Sequence, residues 1–85
     1  SMSIVTVYLP GALTPDSTVE RVAEALHHEA LHNPDFAGTE FAISFDCSAW
    51  VDCSDEIAGA SLLHSTIIPI LEGDAGTRAP GGQRA

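Results

Sequence analysis

Five consecutive residues, His28-Glu29-Ala30-Leu31-His32, spell H-E-x-x-H. Histidines four apart share one face of a helix and can hold a zinc ion, while the intervening glutamate takes a proton from metal-bound water. The chemistry would be metal-assisted hydrolysis. It needs both imidazoles turned into an enclosed site and a further ligand beside them. Glu56 is the candidate third ligand.

The element that must aim those histidines is a helix. Thr14-Pro15 offers a hydroxyl cap followed by proline in the first turn, and Ser17-Thr18-Val19-Glu20 offers a competing capping box. Asn33-Pro34 stops the helix at about His32, because the residue before a proline resists the α region. With Val19 at 0° and about 100° per residue, Val19, Ala23, Leu26 and Ala30 gather into an apolar stripe with Val22 on its flank. His28 and His32 then fall at about 180° and 220°, opposite the stripe. The spacing therefore predicts a water-facing histidine pair. The five residues resemble the active-site helix of the zincin metalloproteases, which implies zinc on His28 and His32 with Glu29 as base. The segment Asn33-Pro34-Asp35-Phe36-Ala37-Gly38 lacks the glycine and third histidine of the extended form of that motif.

Three other side chains could carry chemistry. His64 falls mid-stripe among Ile57, Ala60, Ile67, Ile68 and Leu71 of a second helix, which reads as a core or interface histidine. Cys47 and Cys53 share a strand parity, about 20 Å apart if the strand is unbroken. A chain reversal near Trp50 would let them pair or form half a metal site; small buried hydrophobes are the default reading.

The strands are read from alternation. Ile4-Val5-Thr6-Val7-Tyr8-Leu9, closed by Pro10-Gly11, carries apolar groups on both parities and predicts a central strand covered on both faces. From Glu40 to Cys53 the parity is regular: Phe41, Ile43, Phe45, Cys47, Ala49, Val51 and Cys53 on one side, Glu40, Ala42, Ser44, Asp46, Ser48, Trp50 and Asp52 on the other. This is one long strand or two joined by a tight turn. Ser54-Asp55-Glu56 caps the second helix. Pro69 predicts that this helix ends early, leaving 66–71 as helix or short edge strand. Leu62, Leu63 and Ile70 fall off its stripe, so a homodimer through the second helix is one reading. The expected fold is α+β, a small single-layer sheet with two helices packed on it in βαβ(β)α order.

Charge sets the class of partner. Twelve Asp and Glu face three Arg and no Lys, and residues 3–72 hold eleven of those acids against Arg21 alone. Such a body repels nucleic acid and anionic lipid and attracts basic surfaces; the alternative is that the acidity merely maintains solubility. Residues 3–72 are read as the domain and 73–85 as a disordered tail without a large apolar residue. There is no apolar run of about 18 residues and no leader, and the two cysteines suit a reducing compartment, so the expected location is cytoplasmic.

Trp50, on the polar parity among Glu40, Asp46, Asp52, Asp55 and Glu56, reads either as the interface anchor of a docking patch for a basic protein surface or as a ring on a second covered face of the sheet. In composition and size the chain resembles the small acidic proteins with which phages and mobile elements inhibit host or defence proteins, some by imitating DNA. Carboxylates two apart on a strand repeat at about 6.6 Å, so Glu40, Asp46 and Asp52 would approximate part of a phosphate track. The leading expectation is a non-catalytic binding protein without a cofactor. A small zinc hydrolase on His28, His32 and Glu56 is the alternative, and a homo-oligomeric structural protein the third reading.

Overall fold

The computed structural model describes residues 3–78, and it is an α+β fold. The elements run β1 (Ile4–Pro10), α1 (Asp16–His32), β2 (Glu40–Asp46), β3 (Trp50–Asp52), α2 (Glu56–Leu62), a π turn over Leu63–Ile67, and α3 (Ile68–Arg78). Helices lie on one face of a three-stranded mixed sheet whose order is β2-β1-β3.

β1 is central, as its composition predicts, with β2 parallel on one side and β3 antiparallel on the other. The regular parity of 40–53 thus belongs to two strands that never touch. Pro10 pairs with Asp46, and Tyr8 pairs with Trp50. Between them, Cys47-Ser48-Ala49 carries the chain over the end of β1. The two flanking strands lie about 9.6 Å apart, which four residue steps span easily. Parity survives the jump: Phe41, Ile43, Val51 and Cys53 all pack against the core, whereas Phe45 and Cys47 are exposed.

The core is one cluster of Val5, Val7 and Leu9 from β1, Val22 and Leu26 from α1, Phe36, and Ala58, Leu62 and Ile67 from the second helical segment. Only one face of β1 is covered. Ile4 is 65% exposed and Thr6 and Tyr8 are half-buried, so the expectation of two covered faces is corrected. No second layer of helices exists among the described residues, and the alternate face meets water.

The buried line of α1 runs through Thr18, Val22 and Leu26, while Ala23 is exposed. The apolar count missed Thr18 because its burial depends on a partner distant in sequence. Its hydroxyl donates to Asp74 Oδ2 at 2.7 Å, which removes the penalty of burying a polar group. Arg21 Nη1 lies 3.5 Å from the other Asp74 oxygen, tying α1 to α3. Thr14 does not cap α1; its hydroxyl bonds to the Pro10 carbonyl at 2.7 Å, and the helix starts after Pro15. Asn33 ends it as expected. Its side chain donates to Glu29 and accepts from the Asp35 amide, and Gly38, at φ +77°, completes the turn into β2.

Asp55 caps α2, accepting from the Ala58 amide at 3.1 Å. The second helical segment then continues through Pro69, so 66–71 is helical and no edge strand forms. The π turn explains this: the Ile68 amide bonds to the Leu63 carbonyl five residues back, widening the turn just before the proline ring. That extra residue also rotates the stripe. Ala58, Gly59 and Leu62 are buried, whereas Ile57 (84% exposed), Ala60 and His64 face water. His64 is therefore not a core residue of this chain. Leu63, Ile70 and Leu71 pack against the chain's own core, which removes the sequence argument for a dimer through this helix. α3 reaches Arg78, into the segment that composition assigned to a disordered tail; residues 79–85 of that tail lie outside the described residues.

Candidate functional site

The uncovered sheet face is built by strand alternation. Even-numbered residues of β1, β2 and β3 all point away from the helices. In register across the sheet, Asp52, Thr6 and Ala42 form one row, and Trp50, Tyr8 and Ser44 form the next. The Trp50 and Tyr8 rings stack with centroids 4.1 Å apart and planes 6° from parallel. This stacked pair forms an aromatic platform at the head of the sheet, with Tyr8 half-buried and Trp50 38% exposed.

Asp46 fixes that platform. One carboxylate oxygen accepts from the Trp50 indole Nε1–H at 2.9 Å, and the other accepts from the Cys47 amide at 2.8 Å. The carboxylate thus clamps both ends of the crossover. These two hydrogen bonds, the indole first, hold its pKa below the ordinary Asp value of 3.8, so it is a fixed anion at neutral pH.

Of the six residues singled out for the interface, the structure brings together Asp46, Trp50 and Asp52 on this face. Glu40 shares the face at the far end of β2, opposite Ile4. Asp55 is engaged in capping α2. Glu56 lies around the edge of β3, in a groove of ≈ 230 Å³ that Trp50, Cys53 and His64 also line. Tyr8 was missed as a site residue; its signal in the sequence was an aromatic ring on the minority parity of β1.

The strand order corrects the phosphate-track geometry. Glu40 and Asp46 are about 20 Å apart along β2, and Asp52 sits two strands away, roughly 12 Å from Glu40. The carboxylates mark the corners of a triangle around an aromatic and small-residue centre. A regular repeat of charge is not what they present.

His28 and His32 are exposed near the end of α1, with ring centroids 4.4 Å apart. Glu29 accepts from the Asn33 side chain at 2.8 Å, which occupies the motif's general base in closing the helix. Glu56 opens α2 beside β3, whereas α1 packs on β2 and α3. Among the described residues no group of three or more His, Cys, Asp or Glu side chains is gathered closely enough to hold one metal ion. Cys47 lies on the crossover and Cys53 beyond the opposite end of β3 under Gly59, and both are free thiols. Among the described residues no helix is long and apolar enough to cross a membrane.

Comparisons with family models, with curated proteins and with solved structures returned no match to this chain.

Proposed function

We propose that this protein is a non-catalytic binding module whose uncovered sheet face docks a basic surface of a protein partner. The observation that supports this reading is the Tyr8–Trp50 stack, with Trp50 exposed, flanked by Asp46 and Asp52 on a chain of net charge −9. An aromatic stack flanked by two carboxylates suits an Arg- or Lys-bearing surface. Guanidinium and ammonium groups gain from the ring faces as well as from the carboxylates, and alkyl stems cover the aromatic carbon. Electrostatic attraction brings the partner in, and Trp50 supplies the desolvated centre.

The test is affinity capture from lysate in parallel with wild type, Trp50→Ala and Asp52→Lys, each eluted at rising salt. A specific partner is retained by wild type at low salt, released at high salt, and lost from both variants. A partner retained equally by all three proteins would place the binding surface elsewhere.

A further inference from the structure

We infer that the free edge of β2 receives an extended, alternating basic and apolar segment of the partner as a fourth strand. The inference rests on the proposed docking function only for the sign of the partner's charge. β2 is seven residues long, contains no proline or lysine, and among the described residues pairs with β1 alone. The Glu40 amide donates to the Ser3 carbonyl at 2.9 Å, so even-numbered residues of β2 face β1. By alternation, Phe41, Ile43 and Phe45 send their N–H and C=O groups to the open edge. Such an edge is a template for strand addition.

A second, independent feature lies beside that edge. A groove of ≈ 320 Å³ is lined by Ala23, Leu26 and Ala30 of α1 and by Phe41 and Ile43 of β2, with His27, Thr39 and Glu40 also at its border, and no β1 residue lines it. It therefore opens on the outer side of β2, beneath the overhang of α1. An added strand would drop every second side chain into this groove, and Phe45, 54% exposed, extends the same apolar row. On the opposite face, Glu40 and Asp46 stand at the two ends of β2 and favour cations directly across from them. The same charges disfavour a second copy as the occupant. Antiparallel self-pairing centred on Ile43 sets Glu40 of each chain against Asp46 of the other, and shifted registers shorten the paired stretch.

The probe is the capped peptide Lys-Val-Thr-Val-Thr-Val-Lys, titrated into the full chain and followed by amide NMR. Saturable shifts at Phe41, Ile43 and Phe45 are expected, with affinity roughly tenfold or more above that of the Glu-ended counterpart. N-methylation of the central valine, which needs no change in the protein, should cost a similar factor because it removes the bond to Ile43. Absence of saturable shifts at β2, equal affinity of the Lys- and Glu-ended peptides, or indifference to N-methylation would overturn the inference. Shifts confined to Trp50 and Asp52 would overturn it while leaving the docking-face reading intact. A concentration-dependent doubling of mass with protected β2 amides would overturn it in favour of self-pairing.

Discussion

Gly59 packs the second helical segment closely against Val51 and Cys53, and replacing it by alanine tests that packing with a sign that propensity alone gets wrong. In a helix interior, Gly→Ala ordinarily gains about 0.5–1 kcal/mol. At Gly59 a Cβ would stand 2.9 Å from Cys53 Cβ and 3.6 Å from Val51 Cγ1. Cys53 Cβ is fixed to backbone at the end of β3, so α2 must move outward by several tenths of an ångström. Overpacking of this kind costs about 1–3 kcal/mol, which leaves a net loss of roughly 0.5–2 kcal/mol after the propensity gain. Gly73 supplies the control: it is also helical, and a Cβ there meets nothing within 4 Å. Urea unfolding of both variants is the assay. With a slope of about 1 kcal/mol/M for a small domain, Gly59→Ala should lower the midpoint by roughly 0.5–2 M, while Gly73→Ala raises it by about 0.5 M. Equal stabilisation by both would refute the close approach of α2 to β3.

Three further outcomes are expected. The Asp46 carboxyl, followed by carbon NMR, should titrate below 3.8, and Trp50→Phe should move it back toward that value. Its folded pKa is lowered, so its contribution is present above 3.8 and fades as pH falls through the lower folded value; a midpoint at or above 3.8 would contradict the clamp. Asp74→Ala should destabilise by about 1–3 kcal/mol, because the buried Thr18 hydroxyl loses its acceptor, and Thr18→Val in the same chain should recover much of that loss. Thiol labelling should modify exposed Cys47 faster than half-buried Cys53 in the folded chain, with the difference vanishing in denaturant.

Local signals in the sequence carried β1, the end of α1 and the start of α2. The β-branched run of β1, the proline after Asn33 and the cap at Asp55 each act through neighbours a few residues away, and each stands where the pattern placed it. The parity of 40–53 correctly separated Phe41, Ile43 and Val51 from Asp46, Trp50 and Asp52, because burial fixes parity whichever strands carry it. What alternation does not encode is pairing. Nothing between Asp46 and Trp50 marks the passage over β1, since the jump is decided by β1's capacity to pair on both edges. Val22 and Leu26 are buried and His28 and His32 exposed as the periodicity predicts, but other parts of the helix faces differ for two physical reasons. Thr18 is polar yet buried because of a carboxylate far along the chain, and the π turn ahead of Pro69 shifts the phase of everything beyond it. The candidate platform was half legible: Trp50 and its carboxylates stood out, whereas the Tyr8 stack depends on strand order.

Trp50 is the chain's only tryptophan, so its fluorescence reports on the platform directly. The most direct measurement is acrylamide quenching of that emission while a captured, purified partner is titrated to saturation. The docking account predicts that the accessible indole becomes shielded as the complex forms and returns to its free accessibility when salt dissociates it. A saturated complex in which Trp50 stays as quenchable as in the free chain would contradict the account.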